Sequence, residues 1–275
     1  MKSFSNTYIF IFSSVMVIAV AAILSIVALQ LKPIQEKNIR TEKIQNILSS
    51  VQIESTKKNA DALFEKYITE SVVVNAAGNK IEAEKAFDVD LKKEAAKMDK
   101  IKKLKSSLVK KEESPFKKFM SKYIAFEEVD STSVLKEINK LEKEQRLPVY
   151  ICKKDNKEFY IFPLRGKGLW GPIWGYISLE DNLNTIYGAV FDHKSETPGL
   201  GAEIQEDWFE KAFIGKQLFE ASAFTSVAVK KGEVDPKDLH SVDAISGGTI
   251  TSKGVEAMLA DCLGSYLSYI NSKRK

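Results

Sequence analysis

Four runs, Pro148-Val149-Tyr150-Ile151-Cys152, Phe159-Tyr160-Ile161-Phe162-Pro163, Ile173 to Leu179 and Thr185 to Phe191, are dense in β-branched and aromatic residues. The polar turns Lys154-Asp155-Asn156 and Glu180-Asp181-Asn182 punctuate them. Short apolar runs joined by tight polar turns predict a meander of antiparallel strands. Downstream, Asp207 and Glu210 have the spacing of a capping box opening a helix through Phe213, and Phe224 to Lys230 reads as a further strand. Val255, Leu259, Cys262, Leu263, Tyr266 and Ile270 then form an apolar stripe at helical spacing. Upstream lies a helical pattern from Ser133 to Gln145, and before it the lysine-dense stretch 92–111 reads as a solvated helix or loop rather than an anionic-lipid contact. Ala86 to Leu91 alternates like a half-buried strand, Ala77-Gly78-Asn79 reads as a turn and Val72 to Val74 as a strand. Two short helices are expected around Leu63, Phe64, Tyr67 and Ile68 and around Ile44, Ile47, Leu48 and Val51. The expected fold is α+β, an antiparallel sheet flanked by helices.

From Tyr8 to Leu31 no side chain is charged, and most are Ile, Val, Ala, Leu, Phe or Met. At roughly 1.5 Å per residue this run crosses a hydrocarbon core of about 30 Å. A cleaved signal peptide would have a shorter apolar region and a basic lead, so one uncleaved transmembrane helix is expected, with Pro33 at its exit. The chain is thereby divided into an anchor (1–32), a membrane-proximal α/β region (33–145) and a C-terminal domain (146–275). Lys32, Lys37, Arg40 and Lys43 follow the span, and counted locally the positive-inside rule keeps the domain in the cytoplasm.

A net charge of +4 is modest for this length, and no basic–aromatic interleaving points to nucleic acid. Cys152 and Cys262 stand alone in sequence, without Cys-x-x-Cys spacing, and are expected as buried free thiols. His193 and His240 are the only histidines and show no metal-ligand spacing. The Gly-x-Ser-x-Gly of a serine hydrolase and a Gly-x-Gly-x-x-Gly after a strand are both absent, so neither hydrolysis nor nicotinamide binding is expected. No metal ligand and no catalytic acid or base is assigned.

One loop carries chemistry. Ser246-Gly247-Gly248-Thr249-Ile250-Thr251-Ser252 places hydroxyls and two adjacent glycines before the last helix. Free N–H groups and the macrodipole at a helix start favour an anion, and glycines let a phosphate approach the backbone. By itself this reads first as a Ser/Thr N-cap on a terminal helix, ahead of a phosphate site.

Asp243-Ala244-Ile245-Ser246-Gly247-Gly248-Thr249 resembles the flavinylation motif of subunits that carry FMN through a phosphodiester on threonine, with Gly248 in place of the commoner alanine. Glu196-Thr197-Pro198-Gly199-Leu200-Gly201 resembles a second stretch of that family, and Gly166-Lys167-Gly168-Leu169-Trp170-Gly171 a third. Together the three resemble the C subunits of the sodium-translocating NADH:quinone oxidoreductases, with the related G subunits of the ferredoxin:NAD oxidoreductase complexes as nearest rival. The resemblance implies a translocase subunit in a bacterial inner membrane with its flavin domain in the periplasm. It would carry electrons from an iron–sulfur centre to flavins of a membrane subunit, coupled to Na+ export and quinone reduction. Its partners would be the other subunits, and a flavin transferase during maturation.

Thr249 then inherits FMN attachment, and Ser246, Gly247, Gly248, Glu196, Thr197, Gly199, Leu200, Gly201 and Trp170 the cofactor site. Leu200 would touch the ring; Trp170 and Trp174 would stack on it or lie in the core. Glu196 would fix the Thr-Pro-Gly turn or contact the flavin. Asp243 is either a loop-orienting group or an ordinary turn carboxylate, and Lys253 either neutralises phosphate or faces solvent. The alternative of another class is a membrane-tethered, non-redox module for a phosphorylated ligand.

Overall fold

The structure, a computed structural model, describes residues 5–112 and 131–274. Helix α1 (Asn6–Ser50) runs unbroken through Pro33. The apolar span and the expected helix around Ile44 are therefore one element. Proline deletes only a single ladder bond and kinks a helix without necessarily ending it. The first residue of α1 to be buried is Thr41; from there Ile44, Ile47, Leu48 and Val51 are fully buried.

After α2 (Ala60–Tyr67), strand β1 (Ile68–Val74) joins β2 (Leu147–Lys154), β3 (Lys157–Lys167), β4 (Pro172–Leu179) and β5 (Ile186–His193) in one antiparallel sheet of order β1-β2-β3-β4-β5. The meander is as expected. At the β2–β3 turn Asp155 and Asn156 both have positive φ, 52° and 59°, the conformation that matches hairpin twist.

Period-2 alternation gives the sheet two apolar faces. Val73, Tyr150, Cys152, Ile161 and Tyr176 pack under α1 and α2. Val72, Val149, Phe162, Leu164, Ile173 and Ile177 pack against Val255, Met258, Leu259, Cys262 and Leu263 of α6 (Thr249–Ser265). The two cysteines are therefore in different cores, buried and unpaired. Burial pushes their thiols up to about 11 and about 12, so both stay protonated at neutral pH.

Several expectations change. Ala86–Asp88 is a 3-10 turn, and Leu91 already opens α3 (Leu91–Glu112), so no strand forms at 86–91. The lysine-dense segment is a helix, but it is not simply solvated. Ile101 packs on Ile138 and Leu141 of α4 (Ser131–Lys143), while Lys100, Lys102 and Lys105 reach Glu137, Asp261 and Glu142. The expected strand 224–230 splits into β7 (Ala223–Phe224), paired with β6 (Phe219–Glu220), and β8 (Ala228–Lys230), which pairs in parallel with β9 (Ser241–Asp243). The terminal stripe is buried as expected, but the helix breaks at Tyr266 before α7 (Leu267–Lys273).

The capping box does not form. Helix α5 (Asp207–Lys211) starts after Glu206 without a side-chain cap, because the Glu210 carboxylate instead accepts the Phe191 N–H of β5 at 2.7 Å. Burial first, then neighbouring Asp207, Asp192 and Glu206, push Glu210 up to about 7 against that hydrogen bond. A carboxyl raised in the folded state stabilises fully below its unfolded value of about 4.5, and that contribution is lost as pH rises through about 7. Glu210→Gln keeps an acceptor and removes the charge. Thermal unfolding of the detergent-solubilised chain should show its gain over wild type growing from pH 4.5 to pH 8, reaching roughly 2–4 °C.

Candidate functional site

The three motif loops meet at one end of the sheet, and a single buried carboxylate joins them. Glu196 is 4 % exposed. It accepts the Trp170 N–H at 2.8 Å, the Leu169 N–H at 3.3 Å and the Thr251 hydroxyl at 2.5 Å. Burial alone would raise this carboxyl; the Thr251 hydroxyl and the N–H groups of Trp170, Leu169 and Gly171 outweigh it and hold it below its ordinary value. The approach depends on missing side chains. A Cβ on Gly201 would lie 2.5 Å from Thr251 Oγ1 and 2.7 Å from Glu196 Oε2, and one on Gly168 would lie 2.6 Å from Glu196 Oε1. Thus Glu196 fixes all three loops, more than the Thr-Pro-Gly turn alone.

The Thr197–Gly201 segment is itself a turn, with the N–H groups of Leu200 and Ala202 donating to Thr197 O at 3.1 Å and Gly199 at φ +74°. Leu200 lies over the threonine loop, where a Cβ on Gly247 would stand 2.5 Å from its Cδ2. Gly247 also has φ +74°, which glycine adopts without strain. At Gly248 the alanine commoner in the motif would not fit without a shift, because a Cβ there would meet Ile245 Cγ2 at 2.9 Å. It is the N-cap residue of α6 and has no side chain to cap with, so the Ser/Thr N-cap does not occur.

Hydroxyls in the loop divide by environment. Thr251 is buried and donates to Glu196. Ser252 is buried and accepts the Ile245 N–H at 3.0 Å. Ser246 and Thr249 are exposed, and among the described residues neither hydroxyl has a hydrogen-bond partner. Of these two, Thr249 occupies the first turn of a 17-residue helix, where unpaired N–H groups and the macrodipole favour an anion.

Around it the surface is apolar: Leu169, Trp170, Leu200 and Ile250 are 48 %, 65 %, 41 % and 59 % exposed. Trp170 is therefore a surface residue, not a core one, and Trp174 is half-buried. A groove of about 1460 Å³ adjoins the 168–171 turn, away from Thr249, lined also by α3 residues such as Met98 and Asp99 and by α6 residues such as Ala257. These features fit a flavin: a free hydroxyl beside a phosphate-favouring helix start, and apolar side chains for a ring. Asp243 accepts the Val234 N–H at 2.7 Å, an ordinary turn contact. Lys253 is ion-paired to Glu256 at 2.8 Å, which occupies its charge without a phosphate.

Sequence alone gives no individual role to Thr251, Ser252, Leu169 or Ile250. Thr251 and Ser252 stand one turn before Val255 and Glu256, so extending the buried stripe of α6 backwards identifies Thr251 as inward-facing; nothing in the sequence pairs it with Glu196.

Fold and site together define a chain with one long apolar N-terminal helix and an FMN-binding type of domain; residues 168–264 match the family model of the FMN-binding domain. The chain belongs to the family of C subunits of the Na+-translocating NADH-quinone reductase. It is 30 % identical to the Pseudomonas aeruginosa member over 245 residues, covering 86 % of this chain and 83 % of the relative. Identity to the Chlamydia caviae member is 40 % over 130 residues, 42 % and 41 % of the two chains. The crystal structure of the Parabacteroides distasonis member superposes with a TM-score of 0.66 at 35 % identity, covering 87 % of this chain and 96 % of that one.

Removing the hub charge should loosen all three loops. Glu196→Gln weakens three charge-assisted hydrogen bonds and should cost roughly 1.5–3 kcal/mol in urea unfolding. Gly201→Ala, which drives a methyl group against Thr251 and Glu196, should be destabilising too.

Proposed function

We propose that this chain is the FMN-carrying electron-transfer subunit of a Na+-translocating NADH-quinone reductase, with the FMN phosphate esterified to Thr249. The observation that carries the attachment is the contrast among the loop hydroxyls: Thr251 and Ser252 are buried and engaged, while Thr249 is exposed, unpaired and at the helix start. The unpaired N–H groups of the first turn of α6 would hold the phosphate charge. Gly247 and Gly248 let Leu200 and Ile245 pack against the loop without a side chain between them, and Leu200, Trp170 and Ile250 offer apolar contact to the ring.

Bound FMN supplies one-electron redox chemistry, in the family's complex between an iron–sulfur centre and the flavins of a membrane subunit. The protein's share is placement and electrostatics. Glu196, anionic and buried, holds the loops together, and its charge is spent on its own donors. A covalent bond also removes the dissociation equilibrium, which matters for a cofactor outside the cytoplasm. A flavin transferase would form the ester, and α1 would hold the protein in the inner membrane with the domain in the periplasm. Other subunits of the reductase would be its partners.

Intact-protein mass spectrometry of the chain purified from its own organism should show the mass of FMN less one water. Thr249→Ala, co-expressed with the transferase, should lose both that added mass and the flavin fluorescence that survives denaturing electrophoresis. Thr251→Val should keep the fluorescence if it folds. An unmodified wild-type mass would end the proposal and favour a non-redox binding module.

A further inference from the structure

The membrane helix leaves the domain at the same end of the sheet that carries the three loops. Along α1, Glu42 lies against Asp192 and Ser50 against Ser178 and Gly188. Helix α1 rises about 12 Å from Glu42 to Ser50, and β5 spans about 13 Å between Asp192 and Gly188. The two elements therefore run side by side in opposite directions. Towards its N-terminus α1 emerges past Asp192, where β3 ends, β4 begins and β5 ends.

Heights along this axis follow. Trp174 pairs with both Arg165 and Asp192, so it stands level with Glu42. Beyond that level, β3 and β4 continue to Lys167 and Pro172, and the Gly168–Gly171 turn closes the hairpin, together adding about 10 Å. From Glu42 back to Leu31, the end of the charge-free run, α1 rises about 16 Å. The tip of the Leu169-Trp170 turn thus stops about 6 Å short of the hydrocarbon, within a headgroup layer about 5–7 Å deep.

The rim has the chemistry for that layer. Leu169, Trp170, Leu200 and Ile250 are exposed, and tryptophan is favoured at the membrane–water boundary. Residues 167–172, 197–201 and 246–251 contain no carboxylate, and Lys194 beside them is exposed. We infer that this end of the domain rests on the lipid headgroups of the membrane that α1 spans, with Trp170, Leu169 and Ile250 as the contacting side chains. The site around Thr249 then opens at the membrane surface, within reach of redox groups embedded there. This inference rests on α1 as the membrane anchor in the proposed function, and not on the flavin.

The full chain, produced without a flavin transferase so that no flavin absorbs the emission, is placed in phosphatidylcholine–phosphatidylglycerol nanodiscs. Trp174→Phe with Trp208→Phe leaves Trp170 as the only tryptophan. Lipids brominated near the glycerol end of their acyl chains should cut its emission about twofold relative to unbrominated lipids. Should the double variant not fold, the difference between wild type and Trp170→Phe gives the same reading. Unchanged emission from a chain that co-migrates with the discs would overturn the inference while leaving the Thr249 attachment standing. Failure to co-migrate would overturn it through the anchor. Loss of the FMN mass in the mass-spectrometric experiment would touch only the flavin.

Discussion

One buried carboxylate holds the candidate site together. Glu196 follows the last core strand of the sheet and takes its donors from two other segments, the 168–171 turn and the first turn of α6. A charge buried this far is tolerated only when its hydrogen bonds are satisfied. The surrounding residues are therefore constrained as a group. Gly168 and Gly201 must lack side chains, Thr251 must present a hydroxyl, and the 168–171 backbone must turn its N–H groups inward. The same arrangement removes Thr251 from reaction and leaves Thr249 exposed as the first residue of the helix.

The second constraint is the double duty of α1. Its outer part is apolar and wholly exposed, as a lipid-facing helix should be, whereas its last turns fill one face of the sheet. Because Pro33 does not break the helix, the anchor is an extension of the domain core. The orientation of the sheet relative to the membrane is then set by how Ile44, Ile47, Leu48 and Val51 pack. A flavin held at Thr249 would be carried at the membrane-facing end by the packing itself, with no added device.

Charge plays a smaller and more local part. The lysines of α3 read as a solvated face in sequence, yet Lys100, Lys102 and Lys105 are bound to carboxylates on α4 and α6. Such exposed pairs contribute little energy each. They set the position of α3 and α4 beside the groove rather than their stability, which comes from Ile101, Ile138 and Leu141.

Local pattern carried much of the description. Alternation of apolar residues and the turn at Asp155-Asn156 determined the meander, the charge-free run determined the anchor helix, and the stripe from Val255 to Ile270 determined the buried face of the last helices. The motif loops were legible for the same reason: glycines and hydroxyls before a helix have a meaning that adjacent residues can express. What tertiary structure alone decided depends on partners distant in sequence. Glu210 abandoned a local cap for the Phe191 N–H, Ala86–Asp88 took a 3-10 turn although its residues alternate like a strand, and Trp170 came to the surface although its size suits a core. Glu196 and Thr251 are 55 positions apart, and no periodicity relates them. Their contact exists only because the sheet and α6 bring two chain segments to the same end of the fold.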